Sequence, residues 1–307
     1  MQSGEPKVKR FSVALPASIV SDTPHLREKT AKLGAIARAT SIFGVNEVIL
    51  YPDDPKRDQN EDMRLCSEIL QFLDTPQYLR KKIFKLNPTL RFTGILPPLQ
   101  APHHNVPHTL SEIKVGDVRD GVVVSRTGQN LFVDAGLEKE IRTVGSHRVG
   151  ERVTLRLVEV GRNLSGQIVD ATALSSLKPE MEPMYRGYRV FRETSLGKIL
   201  KEPWTLKVGT SRYGSAIQEI LPSLSKAMKD ARSVLVAFGA PNVGLREILA
   251  AEKLVPSEAF HYFLNTVPDQ QTATVRTEEA LLVSLGIMNL ARRLDLGETV
   301  GLETHHN

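Results

Sequence analysis

Three segments of this sequence have the residue types and spacing to bind a ligand. They are Gly209-Thr-Ser-Arg-Tyr-Gly214, Phe238-Gly-Ala-Pro-Asn-Val-Gly-Leu245 and Asn265-Thr-Val-Pro-Asp-Gln-Gln-Thr-Ala-Thr-Val-Arg-Thr277. Each follows a short apolar run that reads as a strand. Open α/β sheets bind ligands beyond the carboxyl ends of their strands, so three such loops can converge on one pocket. Glycine there lets main chain approach a ligand closely. Taken singly, the same residues also make ordinary tight connections. No G-x-x-x-x-G-K-[ST] phosphate loop occurs, and no G-x-G-x-x-G follows the first strand. Phosphoryl transfer and dinucleotide-dependent hydride transfer thus lack their usual support. A ligand gripped through backbone groups, with no metal and little charge, fits S-adenosylmethionine better.

The elements that must position these loops follow a strand–helix alternation. Phe11–Pro16 and Glu47–Tyr51 read as buried strands, with a helix from Pro24 to Ile42 between them, capped by Ser21 or Asp22. Helices fit 60–73 and 76–84. The pattern breaks at Asn87-Pro88, and Pro97, Pro98, Pro102 and Pro107 mark a linker. From Lys114 the texture turns to short alternating strands at 116–124, 130–134, 151–159 and 166–169, the material of a small barrel or sandwich. After Lys178-Pro179 the alternation resumes, with strands at 188–191, 205–208, 233–238 and 260–264 and helices at 215–228, 245–253 and 277–294. Neither flank has enough strands for a full sheet. The expected architecture is therefore one discontinuous α/β domain, 1–90 with 178–307, and a β-barrel insert with its linkers at 91–177.

Composition narrows the class. The 307 residues are 41% hydrophobic and 24% charged, which is ordinary for a globular chain. No apolar run approaches the roughly 20 residues that span a bilayer. A lone cysteine, Cys66, points to a reducing interior and leaves no thiolate metal site, so a cytoplasmic location is expected. The net charge of +5 leans weakly toward a polyanionic partner.

Four motifs carry a family resemblance. They are Lys207-Val-Gly-Thr-Ser-Arg212, Ala237-Phe-Gly-Ala-Pro241, Leu264-Asn-Thr-Val-Pro-Asp-Gln-Gln271 and Thr274-Val-Arg-Thr-Glu-Glu-Ala-Leu281. The stretch from Val234 to Leu290 resembles the cofactor-binding knot of SPOUT-class RNA methyltransferases. The insert, Pro102-His-His104 and Tyr185-Arg-Gly-Tyr188 resemble the archaeal and eukaryotic branch, which carries an inserted OB-like module. The resemblance implies a trefoil-knotted parallel sheet with an OB-like RNA-binding insert, S-adenosylmethionine as cofactor, and a homodimer. It further implies RNA as substrate, with ribosomal RNA the expected class and uridine N3 the expected atom. Gly239, Leu264, Asn265, Thr266 and Thr274 would surround the adenosine, largely through main-chain groups. Thr210 and Arg212 would close the pocket near the methionine or the incoming base.

Methyl transfer from a sulfonium asks only that a nucleophile be aligned and relieved of a proton. The candidate catalytic residues are Arg276, to stabilise a developing enolate-like oxygen, Arg212 beside it, and Glu279 or Glu278 as base. The glutamates also suit the first turn of a helix capped by Thr277. Leu281, Leu285 and Met288 form a stripe that fits either a dimer interface or the core. His103, His104 and His108 lack a partner at metal-ligand spacing, so no metal is expected. Arg186, Arg189 and Arg192 beside Tyr185 and Tyr188 suit either RNA or a charge-protected sheet edge. The rival reading is a non-catalytic RNA-binding protein that keeps the SPOUT fold. Asn265, Thr266 and Arg276 weigh against it.

Overall fold

The structure is a computed structural model that describes residues 10–169 and 185–294. The chain divides into two compact units, one formed by residues 1–67 and 188–307 and the other by 68–187.

The first unit is an all-parallel six-stranded sheet. Its strands are β1 (Arg10–Pro16), β2 (Glu47–Tyr51), β8 (Arg189–Arg192), β9 (Leu206–Ala216), β10 (Ser233–Ala237) and β11 (Tyr262–Asn265), and they lie in the order β11-β9-β10-β1-β2-β8. Chain order reverses direction at β1, which has β2 on one side and β10 on the other. That switch point lies toward the ligand side of such sheets. The central strands read as near-continuous aliphatic runs because both faces are covered. Val234, Leu235, Val236 and Ala237 are fully buried. Each large side chain among them contributes roughly 1.5–3 kcal/mol.

One face packs Ala14, Ile49 and Leu235 against α4 (Leu196–Leu200), α6 (Leu245–Ala251) and α7 (Pro256–Ala259). On α1 (Leu26–Ile42), α5 (Ile217–Asp230) and α8 (Thr277–Arg293) the apolar positions recur at helical spacing, and α8 packs against both others. Asp22 does not cap α1. It pairs with Lys32 at 2.8 Å, and His25 holds the N-cap position.

Tyr51, at the carboxyl end of β2, donates its hydroxyl to the Phe238 carbonyl at 2.5 Å inside the core. Burial, reinforced by Asp53 and Glu252, pushes that hydroxyl well above its ordinary pKa. It thus stays a donor and pins the start of the loop after β10. Tyr51→Phe leaves the carbonyl unpaired and should cost about 1–2 kcal/mol, read as a lowered urea midpoint at unchanged slope.

The second unit holds a closed five-stranded barrel of β3 (Val118–Thr127), β4 (Asn130–Asp134), β5 (Ile141–Val144), β6 (Arg152–Glu159) and β7 (Ser165–Ile168), in the order β3-β4-β5-β7-β6. Its interior is Val123, Leu131, Val133, Ile141, Val153, Leu155 and Leu157. The expected small barrel is present, and Ile141–Val144 adds a strand, β5, beyond the alternating runs of the sequence. The expected break at 177 lies outside the described residues.

The second unit also begins earlier than the expected residue 91. The chain enters it within α2 (Asn60–Asp74), and α3 (Gln77–Ile83) belongs to it. Tyr78 donates to the Asp120 carbonyl at 2.9 Å, and a Cβ on Gly136 would strike the Tyr78 ring at 2.5 Å. Lys82 pairs with Asp134. These contacts tie α3 to the barrel wall.

Candidate functional site

Strands β10, β9 and β11 lie side by side, so their carboxyl ends bring the three candidate loops together. β9 is irregular. Gly209 pairs with Phe263 and Ser215 with Leu264, the next residue of β11, so residues 210–214 leave the ladder as an excursion. The segment expected to be a loop is therefore part of a longer strand that bulges. Glycine is needed at both feet. A Cβ on Gly214 would stand 2.5 Å from the Leu264 carbonyl carbon, and one on Gly209 2.7 Å from the Phe260 ring. These two glycines admit protein, not ligand, contrary to the expectation from sequence. At Gly239 a Cβ would meet the Leu245 amide nitrogen at 3.0 Å, which fixes how tightly the loop after β10 folds onto α6.

Side chains stitch the strand ends together. Thr210 donates its hydroxyl to the Ala237 carbonyl at 3.0 Å. Asn265 donates from Nδ2 to the Arg212 carbonyl at 3.1 Å and accepts the Val267 amide at 3.0 Å. The Arg212 guanidinium reaches the Ala273 carbonyl at 3.3 Å and the Tyr213 hydroxyl at 2.6 Å. Thr266 is buried and shares a 2.8 Å hydrogen bond with Ser284, and Leu264 is buried beneath. Thr274 is exposed, and its carbonyl accepts from Thr272. The side chains of Thr210, Arg212, Asn265 and Thr266 are thus spent on holding the loops. Main-chain groups are what remain for a ligand. Gly239 and the Thr274 amide make no main-chain hydrogen bond among the described residues.

Arg276, not Thr277, is the N-cap of α8; Thr277 is the first helical residue and is buried. The Glu279 carboxylate accepts the Arg276 amide at 2.9 Å, so it works as a helix cap. Glu278 faces Lys32 at 3.4 Å. The Arg276 guanidinium is exposed and makes no hydrogen bond or ion pair among the described residues. Leu281, Leu285 and Met288 are fully buried in their own unit, so that stripe serves the core; the exposed apolar residues of α8 are Leu282, Val283 and Leu290.

In the second unit, His103 and His104 each place Nε2 on the Asp74 carbonyl, at 2.9 and 2.8 Å. Arg186 pairs with Asp120 at 3.1 Å. Arg189 and Arg192 lie on β8, one of the two edge strands of the sheet, where charge discourages pairing with another strand. Tyr188 is buried.

Two residues add to the candidate set at the gathered loops: Tyr213, inside the first motif, and Arg246, just past the second. Arg246, in the first turn of α6, donates to the Tyr213 carbonyl at 3.0 Å, and Tyr213 itself stands out in solvent. An arginine directly after a glycine-bearing loop was the available signal.

Three adjacent parallel strands have their terminal loops locked together by side chains, while main-chain groups at Gly239 and Thr274 make no main-chain hydrogen bond among the described residues. Residues 10–288 match the family described as "Putative RNA methyltransferase", and the chain belongs to that family. It is a methyltransferase. A 28S rRNA (uridine-N(3))-methyltransferase of Homo sapiens is 32% identical over 306 residues, covering 91% of this chain and 77% of its own. The enzyme of the same name from Mus musculus is 32% identical over 316 residues, covering 94% and 78%. An uncharacterized protein of Halobacterium salinarum is 31% identical over 296 residues, covering 91% and 98%.

Proposed function

We propose that the chain methylates ribosomal RNA at N3 of a uridine, taking the methyl group from S-adenosylmethionine and working as a homodimer of the trefoil-knotted SPOUT kind. The observation that carries this reading is the interlocking of the ends of β9, β10 and β11, the strands on which the resemblance to that class rests. The donor set fits the cofactor. Free main-chain groups at Gly239 and Thr274 suit an adenosine moiety recognised by its edges. Asn265, Thr266 and Thr210 keep those groups in place, and Arg212 closes the side toward the acceptor. When bound, the cofactor supplies an activated methyl group.

The chain's own part is to align the base and help N3 shed its proton. Arg276 is the cation available to the developing oxyanion. Glu279 positions it by capping its backbone. The barrel unit serves as an OB-like RNA-binding module. For the dimer, the exposed apolar residues of α8 offer a contact face that its buried stripe does not.

Titration calorimetry should give micromolar affinity for S-adenosylmethionine, roughly 8 kcal/mol, with no competition from ATP or NAD. Tight ATP binding without a response to S-adenosylmethionine would sink the proposal. Nucleoside mass spectrometry of RNA treated with the enzyme should show a methylated uridine.

A further inference from the structure

Tyr213 lies within the β9 excursion and is 57% exposed, more than any other large aromatic on the surface among the described residues. It is also firmly held. Arg246 bonds its carbonyl, Ser211 accepts its amide at 3.2 Å, and Arg212 bonds its hydroxyl. The Asn265 amide fixes the preceding carbonyl. The Arg212 guanidinium lies 4.7 Å and that of Arg246 5.8 Å from the centre of the Tyr213 ring. Arg246 also stands 5.6 Å from the Phe263 ring.

The ring is anchored through its main chain and hydroxyl yet remains largely in water, which leaves its surface available to a partner. An exposed ring with guanidiniums over it, beside the gathered strand ends, matches the chemistry of an unstacked nucleobase packed on the ring surface left in water with its phosphate on a neighbouring cation. We infer that Tyr213 is the stacking platform for an unpaired base of the RNA substrate, with Arg246 taking the adjacent phosphate. The inference rests on the RNA-methyltransferase reading. It adds a residue that selects single-stranded over duplex RNA at the site.

The test uses the full chain and fluorescence anisotropy, with a labelled oligouridylate and a blunt RNA duplex of equal length. Tyr213→Ala should weaken oligouridylate binding about tenfold, about 1.4 kcal/mol, and leave duplex binding unchanged, because only an unpaired base can stack on the ring. Tyr213→Phe should keep affinity within about twofold, since the ring and not the hydroxyl does the stacking. Calorimetry on the same samples should find S-adenosylmethionine affinity equal in all three proteins, which shows the strand ends intact. Unchanged oligouridylate affinity in Tyr213→Ala, equal losses for both RNAs, or no oligouridylate binding by the unsubstituted chain would overturn the platform. Absence of S-adenosylmethionine binding in the unsubstituted chain would instead overturn the functional reading, while the comparison of the two RNAs still judges the platform.

Discussion

Arg276→Ala should lower turnover on saturating RNA on the order of 100-fold, about 2.7 kcal/mol, while leaving S-adenosylmethionine affinity within a few fold. The reasoning starts from what the guanidinium does not do. It is exposed and makes no hydrogen bond or ion pair among the described residues, although its own amide is anchored by Glu279. A cation with a fixed backbone and a free head, beside the loop that would hold the cofactor, is available to stabilise negative charge that appears only during reaction. If it held phosphate alone, saturating RNA would restore turnover and the salt dependence of RNA binding would flatten by about one unit. Arg276→Lys keeps the charge and loses the planar fork, so partial rescue of turnover points to a charge role and none to a bidentate one. Near-normal turnover and RNA affinity in Arg276→Ala would remove the residue from the site.

Asp120→Asn should destabilise the barrel unit by about 3 kcal/mol at neutral pH, read from the urea midpoint. Asp120 is buried and bonded to Arg152 at 2.8 Å, to Arg186 at 3.1 Å and to the Thr154 hydroxyl at 2.9 Å. Removing one member of such a cluster leaves the others short of a partner in a place where water cannot replace it. Arg152 keeps Asp74 at 3.0 Å, which sets the loss at the lower end of the usual range for buried pairs.

The pH dependence has a definite sign. Burial opposes ionisation of Asp120, but the charges of Arg152 and Arg186 outweigh it and hold the carboxyl at about 2. A depressed carboxylate stabilises the fold above its unfolded value near 4, and that stability disappears as pH falls through the folded value. The gap between Asp120→Asn and the unsubstituted chain should therefore narrow between about pH 4 and pH 2. His104 acts over a higher window. Burial first, and then the neighbouring His103, lower its pKa to about 4. Between about 4 and 6.5 the unfolded chain takes up a proton that the fold refuses, so stability rises with pH across that range. Equal midpoints for Asp120→Asn and the unsubstituted chain at pH 7 would contradict the cluster's role.

The strand and helix grammar was legible because the parallel strands are buried on both faces. β2 and β4 run over the residues that the apolar pattern marked, and most other ends fall within two positions. The exceptions have physical causes. β5 alternates buried and exposed over four residues, but Glu138, Lys139 and Glu140 before it and Gly145 after it give the stretch the look of a charged loop. The excursion of β9 read as a turn because glycine permits both; only the backbone of β11 pressed against Gly214 shows which. The place of α3 was invisible because Tyr78 and Lys82 look like any exposed helix face until the barrel wall meets them. At the site, the motif residues were identifiable by type, but their jobs were not. Whether Asn265 or Glu279 faces a ligand or its own main chain depends on hydrogen bonds that no spacing rule contains.

A glycine marks where the second unit closes on itself. Gly187, the last residue of that unit, adopts a φ of +84°, and a Cβ there would fall 2.0 Å from an oxygen of Asp74. Asp74 lies in the helix through which the chain enters the unit. Entry and exit are therefore neighbours, as they are in domains that tolerate being moved between hosts. Residues 68–187 can be treated as a cassette. A short bridge could seal its two ends into a ring or give it new termini in a barrel turn. A parallel sheet that accepts one such cassette between β2 and β8 can exchange it for another with equally close ends, without redesigning its own strands.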